Sequence, residues 1–278
     1  MKSNSVRARA KKMMILDILR MAVQVVCFVF IPALFSQAYA GVKELIGNFG
    51  GGTVIDFSSM FLIRLAVLCA VTIVAGRVFC GWACAFGAIG DWIYRFCAWI
   101  QKKTKKKWVK IPDRAIPVLQ KLKYIVLAGT LLLCFFGKSS LITKYSPWTV
   151  FSLLTARNFR IGAYGVGIAL FVLILVGMAL QERFFCQFLC PMGAIFSLLP
   201  EIPFTALRRQ HTNCIPNCQA CKKNCPVSVK LQEDTMRDGE CIRCGRCSFI
   251  CPRSNIRPCQ VIVSEQRKPE DEKEKMAS

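Results

Sequence analysis

Four apolar stretches constrain the fold of this chain more than any other feature of its sequence. They cover Ile15–Phe35, Phe57–Gly76, Tyr124–Leu141 and Tyr164–Leu180, and 54% of the 278 residues are hydrophobic. A helix needs about 20 mainly apolar residues, and at least about 17, to cross the hydrocarbon core of a bilayer. Core helices of a soluble protein are the alternative, but charged loops separate the four stretches. The sequence therefore predicts a mainly α-helical, polytopic membrane protein with about four transmembrane helices.

The first stretch also resembles the apolar part of a secretory signal, because several basic residues precede it. It is long for a signal segment, and only a weak small-residue site, Ser36–Ala40, follows it. We therefore interpret it as an uncleaved first span.

Basic residues set the expected orientation. The chain has 38 Lys and Arg against 16 Asp and Glu, a formal net charge of +22. They concentrate in the N-terminal arm, in residues 101–123 and near the C-terminus, whereas the first loop between spans holds only Lys43. This bias predicts a multi-pass protein of the inner (cytoplasmic) membrane with both termini in the cytoplasm. Orientation and anionic lipid account for the charge, and without a nucleic-acid motif we expect no nucleic-acid partner.

Two segments, residues 77–89 and 183–195, match each other in sequence. Both contain an Arg, a C-x3-C pair, a Gly, an Ala and an Ile at equivalent positions, and each follows an apolar stretch. This pattern predicts two parallel repeats related by an axis along the membrane normal. The apolar segments that follow each copy, 88–100 and 194–207, are short for spans and fit re-entrant or interfacial helices.

The repeated segments carry the cysteines Cys80, Cys84, Cys186 and Cys190. Cysteines four residues apart share one helix face, so the four thiols converge if the two repeats meet. They are a candidate third metal or redox centre, a candidate pair of redox-active disulfides, or a contact to a partner's cofactor. Buried structural cysteines are the plainer alternative.

Eight further cysteines form two runs near the C-terminus. The second run has the spacing C-x2-C-x2-C-x3-C-P, which is typical of bacterial 4Fe–4S sites, and the first run is one residue longer at its start. In two-cluster ferredoxins, the fourth cysteine of each run binds the cluster of the other run. One predicted 4Fe–4S cluster is therefore held by Cys214, Cys218, Cys221 and Cys251, and the other by Cys225, Cys241, Cys244 and Cys247.

Zinc is the main alternative ligand of these runs, because four thiolates also suit a tetrahedral zinc ion. Zinc sites pair two C-x2-C units across a longer gap and do not need three cysteines in one run. A disulfide framework does not fit the reducing cytoplasm that we expect around this end of the chain.

These motifs resemble the membrane-bound polyferredoxin family, which includes NapH-type subunits of periplasmic nitrate reductase systems, the C-terminal region of the nitrous-oxide reductase regulator and a cytochrome oxidase accessory protein. The resemblance covers residues 57–251. It implies a membrane electron carrier that exchanges electrons with quinol or with a redox protein. Two positions depart from the family pattern: Ala85 replaces the usual proline after Cys84, and one residue is added between Cys214 and Cys218.

The predicted organisation has three parts. Residues 1–207 form the transmembrane domain, 208–262 a ferredoxin-like domain for two clusters, and 263–278 a charged, disordered tail. Arg64 lies inside the second span, where it holds a quinone head group, pairs with Asp91 or reaches towards the interface. Lys222, Lys223, Arg243 and Arg246 lie beside the ferredoxin cysteines and either raise the cluster potentials or form a solvated surface.

The predicted function is that of a membrane-anchored iron–sulfur protein, which passes electrons between a quinol or cytoplasmic donor and a redox partner protein. Quinone is therefore a candidate ligand. No Ser/His/Asp set, P-loop or dinucleotide fingerprint is present, so we expect an electron-transfer subunit of an oxidoreductase complex and not an independent enzyme. The alternatives are an assembly or regulatory protein for metal- or oxygen-linked enzymes, and a structural membrane anchor of a redox complex.

Overall fold

Helices supply nearly all of the regular structure. The predicted C-terminal tail, residues 263–278, lies outside the described residues. The computed structural model describes residues 2–52, 58–105, 111–112, 114–158, 162–200, 207–209, 214–215, 218–229, 239–253 and 256–258.

The described residues up to Lys105 form five helices. The first helix ends just before Pro32, because a proline removes a backbone donor and restricts the residue that precedes it. The helices are α1 (Lys2–Phe30), α2 (Leu34–Gly51), α3 (Met60–Ala75), α4 (Val78–Trp82) and α5 (Ala85–Thr104).

Six helices and one 3₁₀ turn, Gly162–Tyr164, follow in the described residues between 114 and 200. Ser146 caps one of them, since its side chain accepts a hydrogen bond from the Trp148 backbone at 3.2 Å. The helices are α6 (Ile116–Phe135), α7 (Ser139–Tyr145), α8 (Pro147–Thr155), α9 (Gly165–Leu180), α10 (Phe184–Phe188) and α11 (Pro191–Leu198).

Equivalent elements follow the two matching sequence segments. The apolar helices α3 and α9 each have 16 residues, and the single-turn helices α4 and α10 each have 5. Packing partners also correspond: α1 packs on α5 as α6 packs on α11, and α2 packs on α3 as α8 packs on α9. The matching sequences therefore adopt matching local structure.

Two of the four predicted spans are confirmed as helices that are long and apolar enough to cross a membrane, although both helices begin and end several residues before the predicted stretches. They are Arg9–Phe30, with 22 residues, and Ile116–Phe135, with 20. The other two, α3 and α9, are shorter apolar helices, and 16 residues extend about 24 Å at 1.5 Å per residue. That length falls below the roughly 30 Å of a typical hydrocarbon core.

Helix α2 was not foreseen, because its residues were assigned to a loop between the first two spans. Its buried positions Phe35, Ala38, Tyr39 and Val42 have the spacing of one helix face, a signal that the sequence does contain. The helix packs against α3 and α6. Gly52 ends it in the left-handed conformation, at φ 64°, so the glycine run terminates a helix.

The C-terminal segment has little regular structure of its own in the described residues. Two short helices, α12 (Ala220–Lys223) and α13 (Arg246–Ile250), pack together, and two short strands, β1 (Leu207–Arg209) and β2 (Ile256–Pro258), pair antiparallel. Val227, Val229 and Ile242 are buried in the same apolar core as the helices of the first 200 residues. The segment therefore lies directly against the helical bundle.

Candidate metal centres

Four cysteines of the C-terminal segment surround one small cavity. Cys214, Cys218, Cys221 and Cys251 line a space of about 20 Å³, together with apolar side chains such as Ile256. Three of these cysteines come from the first run and one from the second, which is the predicted first ligand set. Four sulfur donors with an apolar wall fit the chemistry of an iron–sulfur cluster. Cluster binding itself stays a prediction.

The other four cysteines form a second group. The thiols of Cys225 and Cys247 interact electrostatically with Cys241 and Cys244, and Cys247 also interacts with Cys225. Burial raises the pKa of Cys225 to about 12, although backbone N–H groups of Val229 and Val227 oppose the shift. These N–H groups stabilise a thiolate once a positive metal centre displaces the proton. The group corresponds to the second predicted ligand set.

The paired cysteines of the two repeated segments also meet. Cys80, Cys84, Cys186 and Cys190 line one cavity of about 20 Å³. Cys84 and Cys190 cap α5 and α11, where their sulfur atoms accept hydrogen bonds from the Gly87 and Gly193 backbones at 3.5 and 3.2 Å. The structure thus brings together the four thiols that the sequence predicts to converge.

Burial favours the protonated form of three of these thiols in the absence of a positive centre. It raises the pKa of Cys84, Cys186 and Cys190, and the neighbouring sulfur atoms add to the shift. Cys80 and Cys186 are only 8% and 7% exposed. A metal centre at this position would replace several protons in a water-poor environment.

A buried ion-pair network lies beside the first cysteine pair. The Arg183 guanidinium donates to both carboxylate oxygens of Asp91, at 2.7 and 2.6 Å. Arg20 and Gln24 of α1 donate to the same carboxylate at 2.7 and 2.9 Å. Burial alone would raise the pKa of Asp91, but Arg183 and Arg20 outweigh it and lower the pKa to about 2. Asp91 is therefore an anion held by two cations.

A corresponding network lies beside the second pair. Arg77 donates to the Gly239 carbonyl at 2.8 Å and contacts the Glu240 carboxylate at 3.4 Å. Lys123 of α6 binds both oxygens of the same carboxylate. Glu240 comes from the ferredoxin-type segment, so this network ties that segment to the bundle.

Each arginine of the repeated segments lies against the other segment. Arg183 contacts Gly87, where any side chain would clash with its guanidinium. Arg77 lies against Gly193, where a Cβ atom would be 3.0 Å from Nη2. The glycine in each motif therefore leaves space for a cation beside the cysteine that caps the following helix.

The ferredoxin-type segment contacts both single-turn helices. The indole of Trp82 in α4 donates to the Arg243 carbonyl at 3.3 Å, and Gln187 in α10 donates to the Pro226 carbonyl at 2.6 Å. Gly81 allows the Ile242 carbonyl to approach α4 closely. The second cysteine group is thus adjacent to the paired cysteines.

Several predicted roles change with these contacts. Asp91 pairs with Arg183 and Arg20, so its pairing with Arg64 was wrong; Arg64 donates to Gln37 instead. Arg246 is not a solvated side chain, because it is 8% exposed and pairs with Glu182 at 2.6 Å. Arg20 was missed although it lies inside the first apolar stretch, where a charge is itself a signal.

Comparison with known proteins matches the domain family described as a 4Fe-4S binding domain to residues 58–107 and 165–205. The matched segments contain the paired cysteines, whereas the eight C-terminal cysteines lie beyond them. The predicted resemblance to ferredoxin-type membrane proteins is confirmed. An iron–sulfur electron-transfer protein is the class that this match and the named relatives support.

Three relatives illustrate the similarity. An uncharacterized protein of Methanocaldococcus jannaschii is 29% identical over 87% of this chain and 94% of its own length. The ferredoxin-type protein NapH of Haemophilus influenzae is 25% identical over 80% of this chain and 83% of its own length. The putative electron transport protein YccM of Escherichia coli is 23% identical over 77% and 59%. No solved structure matches the chain.

No disulfide joins the cysteines that the structure describes. Within the same residues, no three histidine, cysteine or carboxylate side chains lie close enough together to hold a single metal ion.

Proposed function

We propose that this protein is a membrane-anchored electron carrier with two 4Fe–4S clusters in its C-terminal segment. The observation that carries the proposal is the grouping of the eight cysteines. The first set lines one cavity and the second set interacts electrostatically, with one cysteine exchanged between the two runs. The spacing of the second run is typical of such clusters, and the first run differs from it by one added residue between Cys214 and Cys218. We propose the same domain boundaries as the sequence predicts: residues 1–207 for the transmembrane domain, 208–262 for the ferredoxin-like domain and 263–278 for the tail.

The outer surface of the helices supports a membrane anchor. Large apolar side chains are exposed on α1 and α6, such as Val29 at 66% and Ile125 at 67%. The apolar helices α3 and α9 likewise expose Val74 and Leu173. Exposed apolar surface of this extent is typical of contact with lipid. We infer four membrane helices in two parallel repeats, with both termini in the cytoplasm as the basic loops predict.

The arrangement supports a route for electrons along the two clusters. Helix α12 contains Cys221 of the first set, and α13 contains Cys247 of the second. These helices pack together, so the two clusters are neighbours. The second set lies beside the paired cysteines, through the contact of Ile242 with Gly81. Electrons can therefore enter or leave where the ferredoxin-type segment meets the bundle.

A quinol is the donor that the bundle could accommodate. An apolar cavity of about 840 Å³ lies among α6, α7, α8 and α9, and its lining includes Tyr39, Trp148 and Phe185. Trp148 and Phe185 also line the cavity of the paired cysteines. A ligand with an apolar tail would thus have its head close to the candidate redox sites.

Separate replacement of Cys218 and Cys244 by serine tests the proposal. Each variant should lose one cluster, about four irons and four sulfides of the eight expected at the C-terminal cysteines, because each removes a ligand of one set. Replacement of Cys97, a buried cysteine of α5 outside both sets, serves as the control and should lose none. Zinc in place of iron, or the loss of iron only in the control, would refute the two-cluster assignment.

Regulation is a second candidate function. The regulatory protein NosR of Stutzerimonas stutzeri is 24% identical over 84% of this chain, although the match covers 31% of NosR. In this alternative, the clusters would sense or reduce a metal- or oxygen-linked enzyme. Clusters whose reduction does not support electron delivery to a redox partner would favour it.

A further inference from the structure

The paired cysteines lie between two networks that each contain more cations than carboxylates. In the first, Arg183 and Arg20 share the single carboxylate of Asp91. All three side chains are fully buried, with 0% side-chain exposure. The network therefore carries one positive charge in excess, in a region where an uncompensated charge is costly.

The second network repeats this imbalance. Arg77 and Lys123 share the carboxylate of Glu240, and their side chains are 2% and 0% exposed. A third network, by contrast, is balanced: Arg246 and Arg95 pair with Asp17 and Glu182. Among these three networks of described residues, the two that flank the cysteine pairs carry the excess of positive charge.

Two guanidinium groups of these networks have donors without acceptors. Arg77 Nε and Arg20 Nη1 are buried and have no hydrogen-bond partner among the described residues. Arg77 also lines the cavity between the four cysteines. Buried donors of this kind are rarely left unsatisfied in native proteins. The site is therefore prepared for an anionic group.

An iron–sulfur cluster with four thiolate ligands can balance both excess charges. Oxidised [2Fe–2S] and [4Fe–4S] cores each carry two positive charges, so the complex with four thiolates carries two negative charges. Its sulfur atoms also accept hydrogen bonds from guanidinium donors. Such a complex would neutralise the two networks together.

We propose that Cys80, Cys84, Cys186 and Cys190 together hold a third iron–sulfur centre between the two repeated segments. The cavity has the same volume, about 20 Å³, as that of the first ferredoxin-type set. The segments matched by the 4Fe-4S binding domain family are the two that supply these cysteines. Each segment provides two ligands, so the centre forms only when both are folded together. This assignment does not depend on clusters at the C-terminal cysteines.

Metal analysis of a double variant tests the proposal. Cys84→Ser with Cys190→Ser should reduce the iron and sulfide of the anaerobically purified protein from a clear excess over eight to about eight per chain. The EPR signals of the C-terminal clusters should persist, which separates this outcome from misfolding and from failure of the two-cluster assignment. The control, Cys97→Ser with Cys134→Ser, replaces two buried cysteines outside the cavity and should retain the excess.

Equal iron content in the wild type and the double variant would overturn the proposal. One zinc per chain that disappears in the double variant would also overturn it, since zinc with four thiolates has the same charge but no inorganic sulfide.

The charge argument has its own test. Lys123→Gln removes one excess cation near Cys190, so the reduced state of the third centre is less stabilised and its midpoint potential falls. Lys121→Gln, on the exposed side of the same helix, should leave the potential unchanged. A merely structural lysine would leave the potential unchanged. That result in Lys123→Gln would therefore contradict the electrostatic role of the cation.

Discussion

At the scale of single residues, the Asp91 carboxylate is held by donors from two distant parts of the chain. It accepts hydrogen bonds from Arg183 and from Arg20 and Gln24 of α1. The side chains of Asp91 and both arginines are fully buried. Removing one partner of a buried ion pair leaves the other charge uncompensated, and this costs about 3–5 kcal/mol.

Asp91→Asn should therefore destabilise the detergent-purified protein by about 3–5 kcal/mol, measured by chemical or thermal unfolding. Asp17→Asn is the matched control, because the Asp17 side chain is 32% exposed and Arg246, its buried partner, keeps its ion pair with Glu182. The Asp17→Asn variant should lose about 1 kcal/mol of stability or less. Equal losses in the two variants would show that the Asp91 network does not have this role.

The same carboxylate predicts a pH dependence. The folded pKa of about 2 lies below the usual value, so the stabilisation is complete above the unfolded pKa. It is lost as the pH falls towards about 2, and Asp91→Asn should lack this component of acid unfolding.

At the scale of elements, the crossing between α2 and α3 depends on a small residue. A Cβ atom at Gly41 would lie 2.6 Å from the carbonyl oxygen of Phe61 in α3. Close approach of helices through glycine is typical of membrane proteins. Gly47, in the same helix, has open space around its Cβ position.

Gly41→Ala should separate the helices and cost about 1–3 kcal/mol of stability, as overpacking does elsewhere. Gly47→Ala should instead be neutral or stabilising by up to about 1 kcal/mol, since alanine favours a helix. Thermal unfolding of both variants measures the difference. A Gly41→Ala protein as stable as Gly47→Ala would contradict the observed crossing.

The sequence predicted some elements better than others, for physical reasons. Long apolar runs indicate α1 and α6. The repeated motif predicts that the four paired cysteines converge. The apolar spacing of Phe35, Ala38, Tyr39 and Val42 was a signal for α2, but Lys43 and Glu44 follow it and give the segment the appearance of a polar loop. Partners such as Asp91 with Arg183, or Glu240 with Arg77, are more than 90 residues apart, so only the fold brings them together.

At the scale of the whole molecule, the ferredoxin-type segment is tied to the bundle and does not stand apart from it. Glu240 joins it to Arg77 and Lys123, and Gln187 binds the carbonyl after Cys225. The central claim is that reducible clusters in this segment connect the membrane domain to a redox partner.

EPR-monitored redox titration of the anaerobically purified protein tests that claim most directly. The account predicts reversible one-electron reduction of two 4Fe–4S clusters within the potential range of quinols or reduced flavodoxins, with magnetic coupling because the clusters are neighbours. A protein whose clusters stay EPR-silent over this range, or which contains zinc at the eight cysteines, would contradict the account.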